Sequence, residues 1–247
     1  SDALYIRGLC QLALRQPAEA AATFERIVQK DPQYRAMDRV LYDLAWAYQE
    51  SHDGEQAIAA FGRLAESHPA SPLAAESRYR IGEVHFTAGD YAVAATHFAA
   101  AFDQATEPAV RERAAHKLAW CRFEQQEFAD AEASFHGQLA AFAEGALAAD
   151  ARLMLAECQF RQNNYREALD GFATAIDQPG VTGTLRQSAL LHAAQAAARV
   201  EQWDRCIELA DRAIAEFPEA RWNDDARCER GTALFHLGRF DEAGREF

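Results

Sequence analysis

Basic residues are scarce in this chain: 25 Lys plus Arg stand against 38 Asp plus Glu in 247 residues, so 25 − 38 = −13 at neutral pH. The deficit is about −3 over residues 1–123 and about −10 over residues 124–247. A phosphate backbone would be repelled, which disfavours nucleic acid as a partner. No apolar run approaches the ~20 residues that a membrane-spanning helix needs, so direct membrane insertion is not expected. The five cysteines are an odd number with no C-x-x-C spacing, and neither a disulfide framework nor a zinc ribbon is indicated. The sequence also lacks H-E-x-x-H, a Gly-rich phosphate loop and a G-x-S-x-G elbow, the short motifs that announce common catalytic chemistries. His116 and Cys121 are five apart and Cys228 and His236 eight apart, so neither pair has the i, i+4 spacing of a helical metal site. The expectation is a non-enzyme with no cofactor and no metal.

What is present is a repeat. A small residue followed four positions later by Phe recurs as Ala20/Phe24, Ala57/Phe61, Ala94/Phe98, Ala131/Phe135 and Ala168/Phe172, each step being 37 residues. The sixth copy has Cys206 and Ala210 after a step of 38, and the seventh restores Ala243 and Phe247. An aromatic sits three residues before the small one at Tyr91, Phe128, Tyr165, Trp203 and Phe240. Twelve residues before it comes a second small position: Gly8, Ala45, Gly82, Ala119, Ala156, Ala194 and Gly231. Self-similarity at such a period is the mark of a stacked repeat architecture.

Apolar residues recur at three- and four-residue spacing within each copy, so each reads as two amphipathic helices and no strand is required. Breaks within copies fall at Gln16-Pro17, His52-Asp53-Gly54, Ala88-Gly89-Asp90, Gln162-Asn163-Asn164 and Leu237-Gly238. Breaks between copies fall at Asp31-Pro32, His68 to Pro72, Glu107-Pro108, Glu144-Gly145, Pro179-Gly180 and Phe217-Pro218. Proline cannot continue a helix and reverses the chain at these points. Small residues let two helices approach, and the Phe is expected to plug the gap against the following copy. One pair cannot bury both its faces, whereas stacked pairs share a continuous core. Cys10, Cys121 and Cys158 occupy one slot, filled elsewhere by Ala47, Val84, Ala196 and Ala233; it calls for a small buried side chain, and structural free thiols are expected there.

These residues resemble the tetratricopeptide repeat family over essentially the whole chain. The third copy, with Tyr79, Gly82, Gly89, Tyr91, Ala94, Phe98 and Ala101, is the nearest to that family's signature, and Pro32, Pro69 and Pro218 stand as its terminal prolines. The resemblance implies an all-α, right-handed superhelical solenoid of about seven antiparallel helix pairs. It makes residues 1–247 a single array with repeats 1–37, 38–74, 75–111, 112–148, 149–185, 186–223 and a truncated 224–247. The 37-residue step and the stretch from His68 to Phe98 are similar to bacterial envelope members, such as the TolA-binding cell-division coordinator and the lipoprotein of outer-membrane barrel assembly.

In this family the first helices line a concave wall and supply the ligand contacts. Carried onto this chain, the candidate groove residues are Tyr5, Tyr42, Trp46, Tyr79, Glu83, Phe86, His116, Trp120, Phe123, Glu157 and Phe160. Trp46 and Trp120 share a slot with Glu83 and Glu157, so that slot tolerates charge and faces the groove. Phe86, Phe123, Phe160 and Phe235 share another slot, which reads equally as groove or as packing between first helices. Eight acidic wall positions (Asp2, Glu50, Glu76, Glu83, Glu124, Asp150, Glu157, Asp225) against four basic ones (Arg39, Arg113, Arg161, Arg199) suit a basic and aromatic or aliphatic partner segment. A chaperone C-terminal-tail clamp is not expected, because Tyr5, Leu9, Tyr42, Trp46, Tyr79 and Glu83 replace the basic residues such a clamp uses.

The expected function is therefore a non-catalytic scaffold that binds a partner protein or peptide. The alternatives are a regulatory or substrate-presenting arm of a larger enzyme or sensor, and a small-ligand receptor with a closed pocket. The chain opens and stops within helical patterns, so it reads as a piece of a longer protein. The envelope resemblance points to the periplasm, whereas unpaired cysteines point to the cytoplasm. The sixth copy's irregular slots and the linker Gln178 to Gly183 predict a loose junction between the fifth and sixth copies.

Overall fold

The computed structural model describes residues 1–219 and 221–247. Fourteen α-helices and no strand are present among the described residues. Two compact units divide the chain. The first, Ser1–Gln125, holds α1 (Asp2–Ala13), α2 (Pro17–Lys30), α3 (Met37–Glu50), α4 (Gly54–Ser67), α5 (Leu73–Thr87), α6 (Tyr91–Gln104) and α7 (Pro108–Glu124). The second, Gln126–Phe247, holds α8 (Phe128–Ala141), α9 (Ala148–Arg161), α10 (Tyr165–Ala175), α11 (Gly183–Arg199), α12 (Trp203–Glu216), α13 (Asn223–His236) and α14 (Phe240–Ala243).

The breaks lie where the sequence punctuates. Pro17 and Pro108 open helices, where a missing N–H costs nothing, and Asp53 caps α4 by accepting from the Gln56 amide at 3.2 Å. The turn inside each copy has one conserved geometry along the chain. Arg15, His52, Gly89, Gln126, Asn163, Glu201 and Gly238 all adopt a left-handed conformation with φ between 58° and 84°. The next amide reaches back five residues, as in Asp53 N–H to the Tyr48 carbonyl, Asp90 to His85 and Gln202 to Ala197, each at 2.8–2.9 Å. This is a Schellman cap, which closes the first helix and aims the second antiparallel to it.

Within the first unit α1, α3, α5 and α7 contact one another in sequence, as do α9, α11 and α13 within the second. First helices thus form one layer in each unit, with second helices packed behind. Phe24, Phe61, Phe98, Phe135 and Phe172 are fully buried, as are Ala20, Ala57, Ala94, Ala131 and Ala168. The rings meet the following copy as expected, Phe98 sharing a buried cluster with Ala114 and Cys121 of the fourth copy, and they are also seated on the first helix of their own pair. Phe98 lies on Gly82 so closely that a Cβ there would come within 2.7 Å of the ring, with Tyr79 5.4 Å away. Phe24 likewise packs on Tyr5, Phe61 on Tyr42 and Phe172 on Phe160. The small residue sixteen positions earlier leaves a hole the size of a ring, and the ring of the antiparallel partner fills it.

One expectation is corrected. Cys121 and Cys158 are buried free thiols, but Cys10 is exposed. Its slot is filled by packing against the preceding pair, as Cys121 packs with Phe98 and Ala101, and no pair precedes α1 among these residues. The junction between the fifth and sixth copies is clamped, with Val181 buried beneath it. Arg186 donates to the Ile176 carbonyl and pairs with Asp177 at 3.2 Å and Glu216 at 2.6 Å, while Arg212 pairs with Asp177 at 2.6 Å. The arginines hold both carboxyls below their ordinary range.

Candidate functional site

The layer of first helices is where the sequence-predicted groove residues lie. In the first unit Tyr42, Trp46, Phe86, Trp120 and Phe123 are half-buried, as are Tyr5 and Glu83. Tyr79 is 4% exposed and His116 6%, so these two support the layer from beneath. Each ring is fixed by neighbours. Tyr5 donates to Asp43 on the next first helix at 2.7 Å, and burial together with that carboxylate raises the phenol pKa well above its usual value. Trp120 donates from Nε1 to His116 Nε2 at 2.9 Å, which requires the His116 tautomer with its proton on Nδ1. Trp120 also meets Phe123 edge-on at 5.8 Å, as Tyr42 meets Trp46 at 6.4 Å.

Cations cover several rings, a feature the sequence reading missed. The Arg80 guanidinium lies over Trp46 at 4.9 Å, Arg113 over Tyr79 at 4.8 Å, and the Lys117 ammonium over Phe86 at 4.6 Å. Each cation comes from the next first helix along, so the layer is an interlocked run of rings and charges. The signal was in the repeat itself: Asp43, Arg80 and Lys117 are 37 residues apart and occupy one slot, immediately after the aromatic slot of Tyr42, Tyr79 and His116.

The same cations alter the charge count. Glu76 is engaged by Arg80 at 2.8 Å and by Arg113 at 2.7 Å, and Glu83 pairs with Arg80 at 2.8 Å. The acidic excess counted over the wall from sequence is therefore largely neutralised at α5. In the second unit, Glu157 Oε2 lies 2.6 Å from His192 Nδ1, and the imidazole stacks on Phe160 at 4.8 Å. His192, in the slot of Lys117 two copies on, was likewise missed.

The rings of the Phe86 slot also make contacts within each pair. Phe86 meets Tyr91 edge-on at 5.2 Å, Phe160 meets Tyr165 at 5.6 Å and Phe235 meets Phe240 at 5.3 Å. These rings staple the turn between the two helices of one pair and leave an edge at the surface. Beside the layer, in the first unit, a cleft of about 650 Å³ opens between residues 69–76 and 104–113. No group of three or more metal-ligating side chains is found among the described residues. Nor is any helix there long and apolar enough to cross a membrane.

Tetratricopeptide repeat models match residues 2–34, 42–108, 116–180 and 191–247. The chain belongs to the tetratricopeptide repeat family. Tetratricopeptide repeat proteins are among the solved structures it resembles. The C-terminal part of a tetratricopeptide repeat protein from Cytophaga hutchinsonii superposes with a TM-score of 0.71 at 14% identity, covering 98% of this chain and 93% of that one. PilF of Pseudomonas aeruginosa gives 0.64 at 17% identity over 92% and 96%. YrrB, a tetratricopeptide repeat protein with an unusual peptide-binding site, gives 0.62 at 16% over 89% and 99%. The likeness is one of fold. No curated protein matches the sequence. Tetratricopeptide repeats typically serve as non-catalytic interaction scaffolds, and the ring-and-cation layer is the tetratricopeptide first-helix face of this chain.

Proposed function

We propose that this chain is a protein–protein interaction scaffold whose first-helix layer grips a segment of a partner protein. The observation that carries the reading is the set of half-buried rings Tyr42, Trp46, Phe86, Trp120 and Phe123, each held in one pose by a neighbouring ring, cation or hydrogen bond. Rigid aromatic edges offer contact area at small entropic cost and are the typical anchors of binding surfaces. The carboxylates of α5 are satisfied internally, so in the first unit recognition rests on apolar and aromatic contact. A basic side chain of the partner then finds its carboxylates at the margins, Glu50 and Glu124, both exposed. A partner segment in extended or helical form fits this description. In the second unit Glu157, Phe160 and His192 lie together on that unit's own first-helix layer.

The test is a displayed random-peptide library panned on the 247-residue chain, followed by affinity measurement of the selected peptides against Trp46→Ala/Trp120→Ala. Selected peptides carry aromatic or aliphatic side chains with Lys or Arg, and the double variant loses at least about tenfold in affinity, the scale of one hot-spot side chain. Its far-UV circular dichroism keeps the helical signal. Equal affinity for the folded double variant refutes the assignment of this face.

A further inference from the structure

The repeat gives an internal control for the cleft between residues 69–76 and 104–113. One copy earlier the two linkers are tied across the corresponding space: Ser71 Oγ donates to Asp38 at 2.7 Å, and Met37 beside it is 3% exposed. Moving 37 residues on replaces Met37 by Ala74, Asp38 by Ala75 and Ser71 by Pro108. Ala75 cannot accept the bond and Pro108 has no side-chain donor to make it. A large side chain and the tie are lost together, and a cleft of about 650 Å³ lies there. Its size lies within the roughly 300–1,000 Å³ of ordinary ligand sites, room for a large side chain and the backbone on either side of it.

The walls mix the apolar Pro69, Pro72, Leu73, Ala74, Ala105 and Val110 with the polar Ser71, Gln104 and Thr106. Ala75, Ala105 and Val110 form their own small buried cluster at its base. Glu76 and Arg113 line it too, and pair with each other at 2.7 Å, which makes the cleft continuous with the first-helix layer. Glu107 also lines it; it is exposed, and among the described residues it has no ion-pair or hydrogen-bond partner for its carboxylate. Glu76 is spent on Arg80 and Arg113, so Glu107 is the carboxylate left to meet a ligand. Its full charge exceeds the roughly half charge of the α7 N-terminus beside it.

We infer that this cleft is an anchor pocket for the partner segment, taking one large aliphatic or aromatic side chain with a Lys or Arg beside it in sequence to pair with Glu107. The inference rests on the proposed binding role of the first-helix layer and adds to it the place where the segment is anchored.

The experiment is a titration of the ¹⁵N-labelled full chain, followed by amide shifts, with N-acetyl-Leu-Lys-amide and with the Gly-Lys and Leu-Glu analogues. The Leu-Lys probe gives saturable shifts confined to residues 69–76 and 104–113, and Gly-Lys gives none there. Leu-Glu binds up to about fivefold more weakly, the range of one exposed ion pair, and Glu107→Gln abolishes that difference. Ala74→Met, which restores the large side chain of the preceding copy, abolishes the Leu-Lys shifts. Should Ala74→Met lose its helical circular dichroism, Ala105→Met closes the cleft from the opposite wall and gives the same loss. Equal shifts from Gly-Lys, or Leu-Lys binding retained in a folded cleft-filling variant, overturn the inference. Library-selected peptides that shift the Trp46 and Trp120 indole signals while leaving residues 69–76 and 104–113 unmoved overturn the anchor and leave the layer reading standing. Selected peptides that move neither region overturn both.

Discussion

Phe98→Ala and Phe247→Ala remove the same ring from the same slot of the repeat and separate burial from sequence pattern. Phe98 is fully buried on Gly82, whose missing Cβ admits the ring, and packs with Tyr79 at 5.4 Å and Phe86 at 6.5 Å. Truncating such a ring costs ~3–5 kcal/mol, because the transfer free energy is lost and the cavity collapses only in part. Collapse is poor here, since the facing residue is glycine and brings no side chain to fill the space. Phe247 is 75% exposed, and its truncation belongs with surface changes, within about 0.5 kcal/mol. For a chain of this size 1 kcal/mol moves the melting temperature by roughly 2–4 °C, so Phe98→Ala lowers it by about 10 °C and Phe247→Ala by 2 °C or less on that scale. Calorimetric or circular-dichroism melts of both variants provide the check. Similar losses from the two would mean that the repeat slot, and not the seating of the ring, sets stability, and the packing account would be wrong.

Other predictions concern the turns and the thiols. His52, Gln126 and Glu201 hold the left-handed cap position with φ of 59–63°, where a Cβ is penalised. Glycine at each should stabilise by up to about 1 kcal/mol, whereas Gly89→Ala, at φ 84°, should destabilise by a similar amount; urea midpoints measure both. Burial pushes the thiols of Cys121, Cys158 and Cys206 up to about 12, while Cys10 and Cys228 are exposed. A maleimide at pH 8 should therefore label two thiols in the folded chain and five in denaturant; three rapidly labelled thiols in the native chain would contradict the burial described.

Much of the fold was legible because it is repetitive. The prolines, the 37-residue step and the Ala-to-Phe spacing each report a local constraint that recurs, so most breaks between helices could be placed; the turns at Gln126 and Glu201, which carry no Gly, Pro or Asn, were not. The contact of the Phe ring with the following copy was foreseen, but its seat on the glycine of its own pair was not, because sequence spacing shows which residues share a slot and not every neighbour that fills it. The clamp of Arg186, Asp177, Arg212 and Glu216 was missed for a related reason. Its paired members lie up to 35 residues apart on exposed faces, where charged residues are common and pairing leaves no pattern. At the candidate site the aromatic slots were visible, but the cations over them were not. Which ring Arg80 or Lys117 covers is decided by the neighbouring helix, which spacing along one helix does not show.

The claim at the centre of this account is that the ring-and-cation layer of the first unit is a binding face. The most direct measurement follows the Trp46 and Trp120 indole N–H signals of the full chain during titration with a library-selected peptide. Saturable shifts of both signals, with one dissociation constant shared by the two, are the predicted result. Tight binding that leaves both indole signals unmoved would contradict it.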